Sequence, residues 1–539
     1  MNKNLFLREV VLYGPERHVF EFAYMFSECN IIGFATNDKI TYPFDIEKLS
    51  ISDVKNKVND GALLVICDLE KEKYTSLLSN NWCEGEHYIM FEALFSQLDK
   101  FTTELLGNRK VVIWGTGDTV INMLNACKEN DYIFNVEFYV DGDEKKKGTT
   151  FNGREVVTFD SIRDKESYFY IIASIYYFEI KESLERIGLQ EGKDFLGFSS
   201  LMTRPSKMMS EQIRAKQVGN FFCTRPYNWF YYSWFGTYCC CSTWVKYPIG
   251  NPACDTPEEA WNSCEAKLYR LSMVTKTFSF CKREACGISG RGNGNISDVL
   301  KSDVPRRITL GLDYSCNLYC TSCRDCIKIS SGNQFNVREQ MADRIIETGW
   351  LDETDVLELS GTGEALLSKI DQKILFTNDN VKRNSISLMT NGVLLNKANW
   401  DRLSQNYEHI RINISIDAAS EETYNKIRRG GNWKILQQNL EMLSDLRKNG
   451  AIEYIEIRMV VQRSNFEEIP QFVEMGKKYG FDKVVFTKLL NWDMYSTEEY
   501  LYESLTDENG CAVAELHKVL NQPILKESIV VMDELKKIM

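Results

Sequence analysis

The cysteines of this 539-residue chain are its most informative residues, because 17 of them stand beside only four histidines. They are unevenly spread: eight lie between Cys223 and Cys286, and four lie between Cys316 and Cys326. Clustered cysteines in a long cytoplasmic chain predict metal binding or catalysis rather than disulfides. Ligand sets that are rich in thiolates and poor in imidazoles favour zinc or iron–sulfur clusters over other metals.

One group, Cys316, Cys320 and Cys323, has the spacing CxxxCxxC and follows the predicted strand Ile308–Leu312. Three thiolates on one loop can bind three irons of a [4Fe–4S] cluster and leave the fourth iron open to another ligand. A structural zinc site is the alternative, but such a site normally needs four protein ligands. Cys326 adds a fourth cysteine to the string, and its thiolate would close the open iron. We therefore expect Cys326 to be structural or to lie beside the cluster.

Motifs at the ends of the next predicted strands appear in the order typical of the radical SAM superfamily. These motifs are Gly361-Thr362-Gly363-Glu364, Thr390-Asn391-Gly392, Ser415-x-Asp417 with Arg428 in TYNKIRRG, and Gln462 with Asn465 in VVQRSN. The carboxyl ends of strands are where a βα barrel builds its active site. Residues 300–495 therefore resemble that family.

The resemblance implies that S-adenosylmethionine (SAM) binds the open iron and that an electron from the cluster cleaves it to a 5′-deoxyadenosyl radical. The residues at which it implies SAM contacts are Gly361, Gly363, Glu364, Asn391, Ser415, Asp417 and Arg428. The chain departs from the family at one position. The residue before the third cysteine is usually aromatic and packs on adenine, whereas here it is Ser322.

The earlier cysteine group resembles the SPASM-type auxiliary cluster domain, whose pattern is C…GxxxxC…GN…W…C…C. Here the pattern runs through Cys223, Gly236, Cys241, Gly250-Asn251, Trp261, Cys281 and Cys286. The resemblance implies a second [4Fe–4S] cluster held by Cys223, Cys241, Cys281 and Cys286. Cys240 could replace Cys241, because sequence cannot separate adjacent thiolates. A zinc-bound or merely cysteine-rich structural module is the alternative. In the family this domain normally follows the barrel, but here it precedes it.

The first 205 residues contain an internal repeat. Matching segments are Val10–Gly14 with Val111–Gly115, Leu63–Cys67 with Tyr170–Ser174, and Glu84–Tyr88 with Glu191–Phe195. Short apolar runs, each followed by a longer amphipathic stretch, predict parallel βαβ units. The pattern therefore favours two small Rossmann-like domains in tandem.

The second copy resembles the small Rossmann domains that accompany nucleotide-sugar-modifying enzymes. Gly115 and Gly117 follow its first strand, and Asp141 ends the next strand. Glycines let a phosphate approach the backbone at a helix N-terminus, and an acid in this place accepts ribose hydroxyls. These three residues are a candidate nucleotide site; a tight turn in a domain that binds nothing is the alternative. The first copy has Gly14-Pro15-Glu16, which lacks the second glycine, so we expect it to be structural.

Composition and charge exclude several classes of protein. With 44% hydrophobic and 26% charged residues, the chain has the composition of a soluble globular protein. A net charge of −12 without a polybasic tail disfavours nucleic-acid binding. The N-terminus lacks a signal peptide, which predicts a cytoplasmic protein. Pro226–Val245 is uncharged, but its proline, glycine and polar residues disfavour a membrane span.

These patterns predict an α/β protein of five parts. They are a degenerate Rossmann-like domain (1–101), a Rossmann-like domain (102–205), a SPASM-like domain (206–300), a partial (β/α)6 radical SAM barrel (301–495) and a C-terminal helical extension (496–539). The barrel's strand candidates are Ile308–Leu312, Val356–Leu359, Ile386–Met389, Ile410–Ile416, Tyr454–Val460 and Lys483–Lys488, with helices such as Ile435–Leu446 between them. Six βα units are too few for a complete eight-stranded barrel.

The leading functional hypothesis is a radical SAM enzyme, of oxidoreductase or isomerase type, that abstracts a C–H hydrogen. The Rossmann resemblance favours a sugar or nucleotide-sugar substrate. A peptide-modifying maturase is the alternative, since SPASM-type relatives often modify peptides. A non-catalytic iron–sulfur or electron-transfer protein is the alternative from another class.

The expected cofactors are a SAM-binding [4Fe–4S] cluster, SAM itself and a second [4Fe–4S] cluster. The expected partners are a reductant such as flavodoxin or ferredoxin and a small-molecule or peptide substrate, without nucleic acid or membrane. No residue type marks a general base. Cys511 could donate a hydrogen atom in an epimerisation, but a lone cysteine in a helical tail is more often inert.

Overall fold

Parallel sheets organise the chain. The computed structural model describes residues 8–75, 77–78, 81–286, 294, 304–359, 361–376, 382–492, 494–507, 509–532 and 535. The chain forms two compact units: a first unit of Met1–Tyr227 with Thr237–Lys301, and a second unit of Asn228–Gly236 with Ser302–Met539. Within the described residues, no helix is both long enough and apolar enough to cross a bilayer.

The strands of the described residues, in chain order, are β1 (Glu9–Tyr13), β2 (Asn30–Ala35), β3 (Leu63–Ile66), β4 (Tyr88–Met90), β5 (Lys110–Trp114), β6 (Val136–Val140), β7 (Thr150–Phe151), β8 (Arg154–Val157), β9 (Tyr168–Ile172), β10 (Phe195–Gly197), β11 (Trp229–Ser233), β12 (Gly236–Tyr238), β13 (Arg307–Gly311), β14 (Val356–Leu359), β15 (Arg383–Thr390), β16 (Tyr407–Ser415), β17 (Tyr454–Val461), β18 (Lys483–Lys488) and β19 (Val530–Val531).

The α-helices of the same residues are α1 (Glu16–Met25), α2 (Ile51–Asn59), α3 (Asp118–Glu129), α4 (Tyr177–Glu185), α5 (Ser199–Met202), α6 (Pro205–Arg214), α7 (Arg225–Asn228), α8 (Pro257–Trp261), α9 (Cys264–Val274), α10 (Gly332–Glu347), α11 (Trp350–Glu353), α12 (Lys369–Leu375), α13 (Lys397–Asn406), α14 (Glu421–Ile427), α15 (Trp433–Lys448), α16 (Ile469–Tyr479), α17 (Thr497–Ser504) and α18 (Ala514–Leu520).

The first unit contains two sheets with one shared topology. The order of the first is β2-β1-β3-β4, and the order of the second is β10-β9-β5-β6-β8-β7. In each sheet the earliest strand lies at the centre, and β6-β5-β9-β10 of the second repeats β2-β1-β3-β4 of the first. The pairs are parallel except for the hairpin β7–β8, which extends the second copy. The tandem Rossmann-like repeat predicted from the sequence is therefore confirmed.

Gly14 and Gly115 occupy equivalent positions in the two copies. A Cβ on Gly14 would collide with the backbone oxygen of Cys67, and a Cβ on Gly115 would collide with that of Ala173. Each glycine follows the central strand and lies against the end of the neighbouring strand. Close approach between backbones therefore requires glycine here in both copies, whether or not a ligand binds.

The cysteine-rich segment of the first unit is built on short, well-capped elements. Thr256 and Glu259 form a capping box at the start of α8, and the Ser263 side chain accepts a hydrogen bond from Ala266 N at the start of α9. Val245 and Cys281 form an antiparallel bridge. Residues 287–293 and 295–300 of the predicted SPASM-like domain lie outside the described residues.

The second unit carries a continuous parallel sheet in the order β11-β13-β14-β15-β16-β17-β18-β19. All six strands predicted for the barrel are present as β13 to β18. The predicted helix Ile435–Leu446 lies within α15, which is capped by Asn432 and buries Leu436, Leu440 and Leu443 at helical spacing. The α/β fold class is thus confirmed.

Two short strands at the edges of this sheet depart from the predicted boundaries. β11 lies in the predicted SPASM-like region, yet it pairs with β13 from Trp229↔Arg307 to Ser233↔Gly311. β19 lies in the predicted helical extension, yet it pairs with β18. An apolar run of two to five residues has too little periodicity to predict its partner in a sheet, and tertiary pairing decides it. Residues 533–534 and 536–539 of the extension lie outside the described residues.

Candidate functional site

The loop with the cysteine triad leaves the carboxyl end of β13 and is fixed by backbone hydrogen bonds. Cys316 N donates to Lys328 O at 2.9 Å, so the loop pairs with its own returning chain. Tyr319 N donates to Arg429 O at 3.0 Å, and Thr321 N donates to Ile427 O at 3.1 Å. The loop is therefore held on its other side by the end of α14.

The three triad cysteines share one cavity of about 440 Å³ with the residues predicted to contact SAM. The predicted residues on its wall are Cys316, Cys320, Cys323, Gly361, Gly363, Glu364, Asn391, Ser415, Asp417 and Arg428. They come from the carboxyl ends of successive strands, as a βα barrel requires. Cys326 is exposed and lies outside this wall.

Asp417 and Arg428 form a buried ion pair in the cavity, with Arg428 Nη2 2.7 Å from Asp417 Oδ2. Arg428 Nη1 also donates to Cys320 Sγ at 3.6 Å. Burial raises the pKa of Asp417, and the guanidinium of Arg428 offsets part of that rise. Arg428, which the resemblance places among the SAM contacts, thus links the cluster loop to the end of β16.

The VVQRSN motif acts through Asn465. The amide Nδ2 of Asn465 donates to the backbone oxygens of Asp417 and Val460 at 2.9 Å each, and its Oδ1 accepts from Gln462 N. Asp417 has a φ of 62°, a left-handed conformation that needs such support. Asn465 therefore fixes the strand end that presents Ser415 and Asp417.

Glu364 is almost fully buried, and its carboxylate holds the TNG motif. It accepts hydrogen bonds from Thr390 Oγ1 at 2.7 Å and from Asn391 N at 2.8 Å. Burial raises the pKa of Glu364, while these hydrogen bonds favour the ionised form. Asn391 Nδ2 in turn donates to Asn317 Oδ1 in the cluster loop at 2.9 Å. The side chain predicted to bind SAM thus also joins the ends of β14 and β15.

Arg324 is a residue of the site that the sequence reasoning missed. Its Nε donates to Cys323 Sγ at 3.4 Å, its Nη1 donates to Tyr314 O at 2.6 Å, and its Nη2 donates to Thr362 O at 3.0 Å. Burial lowers the pKa of Arg324, but the thiolates of the triad raise it overall. The available signal was the basic residue directly after the third cysteine.

The sequence motifs also did not predict the part of the cavity wall that lies beyond the cysteine triad. It is formed by the ends of β17 and β18 and includes Arg458, Lys488, Leu490 and Trp492. Leu490 and Trp492 are exposed apolar side chains. Arg458 Nε lies 3.4 Å from Glu456 Oε1. No motif marks these residues: Arg458 and Lys488 lie within β17 and β18, and Leu490 and Trp492 follow β18 without a glycine-rich turn.

A second cavity, in the first unit, brings together Cys223, Cys240, Cys281 and Cys286. Aromatic residues and two arginines complete its wall, among them Trp244, Tyr269, Phe278, Arg225 and Arg283. Burial raises the pKa of Cys223, Cys240 and Cys281, and nearby thiols add to that rise. Four thiols thus surround one space.

One cysteine of the predicted ligand set lies outside the wall of this cavity. Cys241, named in the predicted set, is absent from the cavity wall, and its Sγ lies 3.2 Å from Thr243 Oγ1. Cys240, the alternative to Cys241 in the sequence, lies on the wall. Cys239 and Cys254 are buried small residues that lie outside the wall.

Both cysteine groups fit iron–sulfur clusters better than single zinc ions. Around one zinc ion, thiolates at about 2.3 Å stand roughly 3.8 Å from one another. Among the described residues, the one group of three or more Cys, His, Asp or Glu whose ligand atoms all lie within 4.8 Å is Cys83, Glu86 and His87. Within the described residues, no three thiols of either cavity therefore have sulfur atoms that all lie within 4.8 Å of one another, and all-thiolate sets suit [4Fe–4S] clusters.

The candidate nucleotide site lies at the ends of β5 and β6. Asp141 accepts hydrogen bonds from Thr116 Oγ1 and from Lys146 Nζ, the latter at 2.9 Å. Partial burial raises the pKa of Asp141, but these two donors lower it overall. Gly117 is the N-cap of α3 and has open space around its Cα. Asp141 is therefore already engaged inside the domain, whereas Gly117 is accessible.

Comparisons with known proteins match two segments of the chain. Residues 107–194 match the family model described as C2185-like, N-terminal, and residues 314–476 match that of the Radical SAM superfamily. Over 181 residues the chain is 26% identical to the mycofactocin maturase MftC of Mycolicibacterium smegmatis, covering 33% of this chain and 43% of the relative. Over 182 residues it is 28% identical to a GTP 3′,8-cyclase of Synechocystis sp., covering 33% and 52%. The chain thus spans about half the length of the curated relatives it matches.

Solved structures show the same partial similarity. SuiB of Streptococcus suis bound to S-adenosylmethionine is 13% identical with a TM-score of 0.31, covering 42% of this chain and 50% of SuiB. Tagged anSMEcpe with bound AdoMet is 22% identical with a TM-score of 0.26, covering 37% and 55%.

Proposed function

We propose that this chain, which carries a radical SAM domain at residues 314–476, reductively cleaves SAM and abstracts a hydrogen atom from a peptide substrate. One observation carries the proposal: Cys316, Cys320 and Cys323 face one cavity together with the strand-end polar residues, while Cys326 lies outside it. Three thiolates leave one iron of a [4Fe–4S] cluster for SAM.

A cluster bound by these thiolates would supply the electron that cleaves the sulfonium of SAM. The chain's own residues position the reactants. Asn391 and Ser415 present polar groups on the cavity wall, and Asn465 and Glu364 fix the loops that carry them. The cations Arg324 and Arg428 donate hydrogen bonds to two of the three thiols, so positive charge lies directly beside two of the proposed cluster ligands.

A peptide is the substrate class that we favour over a sugar. The relative MftC is a maturase, and the four-cysteine cavity is the kind of site that SPASM-type maturases carry. The sugar hypothesis depends on the second Rossmann-like domain, in which Asp141 is already bound by Lys146 and Thr116. The exposed Leu490 and Trp492 at the cavity wall offer apolar contacts to a peptide side chain.

Cys223, Cys240, Cys281 and Cys286 complete the proposal as the ligands of an auxiliary [4Fe–4S] cluster. Four thiolates leave no iron open, so this cluster exchanges electrons and does not cleave SAM. The aromatic wall of the cavity restricts access of water to it.

The test is anaerobic reconstitution followed by detection of 5′-deoxyadenosine after addition of SAM and dithionite. The variant with Cys316, Cys320 and Cys323 all replaced by Ala should form none. The matched control, Cys326→Ala, should retain full cleavage, because Cys326 lies outside the cavity wall. Product from the triple variant, or none from Cys326→Ala, would contradict the proposal.

The peptide part is tested separately. A deuterated candidate peptide, encoded next to the gene, should pass deuterium into 5′-deoxyadenosine. Cleavage without deuterium transfer from any such peptide, but with transfer from a nucleotide sugar, would restore the sugar hypothesis.

A further inference from the structure

A basic groove of about 660 Å³ lies beside the auxiliary cavity, within the first unit. Its charged residues are Lys216, Lys246, Lys282, Arg283, Glu211 and Glu284, a net charge of +2. The whole chain has a net charge of −12. A concentration of cations on an acidic protein creates a local positive potential that attracts acidic partners.

The groove adjoins the four-cysteine cavity directly. Phe278, Cys281 and Arg283 belong to the walls of both. A thiol proposed to bind the auxiliary cluster therefore also faces the groove. A molecule seated in the groove would contact a cluster ligand without intervening layers of protein.

The backbone around the groove is preformed. Lys246 N donates to Phe280 O at 3.0 Å, and Lys282 N donates to Trp244 O at 2.8 Å. The buried amide of Gln212 accepts hydrogen bonds from Thr277 Oγ1 and Ser279 Oγ at 2.9 Å each. These contacts fix the backbone of the segment that leads to Cys281.

Only part of the positive charge in the groove is neutralised by an ion pair. Lys246 forms an ion pair with Glu211. Lys216, Lys282 and Arg283 are exposed at the groove and retain the excess positive charge. Exposed charges of this kind act mainly on the rate and specificity of association and less on affinity.

We propose that this groove is the docking surface for an acidic one-electron carrier protein of the flavodoxin or ferredoxin type, which exchanges electrons with the auxiliary cluster. The inference rests on the proposed function for the cluster itself. In each exchange one electron passes between carrier and cluster, so one is oxidised as the other is reduced. The step forms or breaks no covalent bond and releases no proton or leaving group.

The experiment titrates the anaerobically reconstituted full chain with an acidic flavodoxin in its oxidised form, by calorimetry. The double variant Lys282→Glu/Arg283→Glu should bind about tenfold more weakly at low salt. Raising the salt concentration from about 50 mM to about 300 mM should strongly weaken binding by the unmodified chain and have little effect on binding by the double variant. The matched control Lys128→Glu/Lys193→Glu makes the same charge change at exposed positions away from the groove and should alter binding less than about twofold.

Lys216→Glu is a second groove variant, at a residue outside the wall of the cysteine cavity, and should weaken binding with an unchanged iron content. Stopped-flow reduction of the auxiliary cluster by flavodoxin hydroquinone should slow in the groove variants but not in the control. SAM cleavage driven by dithionite should be unchanged in Lys216→Glu and in the control variant, neither of which changes a residue of the auxiliary cavity.

Equal flavodoxin affinity in groove and control variants would overturn the docking proposal, as would binding that is independent of salt. If the groove variants instead lose binding of an acidic candidate peptide, the groove is a substrate surface. Failure of dithionite-driven cleavage in the unmodified chain would count against the proposed function, since that assay needs no carrier.

Discussion

The guanidinium of Arg324 donates from Nε to Sγ of Cys323 at 3.4 Å. Its other two nitrogens bind the backbone oxygens of Tyr314 and Thr362, which lie at the ends of neighbouring strands. The side chain is therefore held in place by the barrel, and its charge is aimed at one triad thiol. A buried cation with a hydrogen bond to a cluster ligand stabilises the more reduced, more negative state of the cluster.

We expect Arg324→Gln to lower the reduction potential of the SAM-binding cluster. Loss of a hydrogen bond to a charged group costs about 1.5–3 kcal/mol, which for a one-electron couple corresponds to roughly 60–130 mV. Potentiometric titration followed by EPR measures the shift.

The control for this variant is Arg186→Gln, which removes an exposed arginine from an i,i+4 pair in the first unit. It should leave the potential unchanged. Equal potentials in Arg324→Gln and the unmodified chain, with equal iron content, would show that Arg324 has only a packing role.

Asp371 predicts a pH dependence of stability. Burial, and the nearby carboxylate of Asp313, raise its pKa to about 8. The folded state therefore holds a proton that the unfolded chain releases near pH 4. Stability from this group is complete below about pH 4 and declines as the pH rises to about 8.

Asp371→Asn should remove that decline, because the amide stays neutral. At pH 8 we expect a higher melting temperature for the transition of the second unit, by at least about 2–4 °C, the shift for roughly 1 kcal/mol. At pH 5 the gain should be smaller. A gain that is the same at both pH values would contradict the assigned titration.

The strand-end residues predict effects on SAM affinity. Ser415→Ala should weaken SAM binding by about tenfold or more, the loss of a hydrogen bond to a charged ligand. Glu364→Gln should weaken it as well, since the carboxylate orders Thr390 and Asn391. Iron content should be unchanged in both. Calorimetry of the reconstituted protein with SAM measures the affinity. Unchanged affinity in both variants would show that SAM does not bind at these strand ends.

Much of this architecture could be predicted from local sequence, and the exceptions have physical causes. Sequence predicts that the triad Cys316, Cys320 and Cys323 and the strand-end motifs line a single cavity, because parallel strands place their carboxyl ends at one edge of the sheet. β11 could not be assigned to the second unit, because its five residues pair with a strand that begins more than seventy residues later. Arg324 could not be assigned a role either, since its partners Tyr314 and Thr362 lie on separate loops.

The choice between Cys240 and Cys241 is the sharpest test of the auxiliary site. In the structure Cys240 shares a cavity with Cys223, Cys281 and Cys286, whereas Cys241 lies beside Thr243.

In a background with the triad replaced by Ala, the chain should retain about four irons. Cys240→Ala should lower the iron content and change the EPR signal, because one iron of the cluster loses its protein ligand. Cys241→Ala is the matched control, one residue away with the same loss of a thiol, and should retain both. Iron loss from Cys241→Ala alone would return the ligand to the position that the GxxxxC spacing predicts, and zinc in place of iron would leave the site a structural role only.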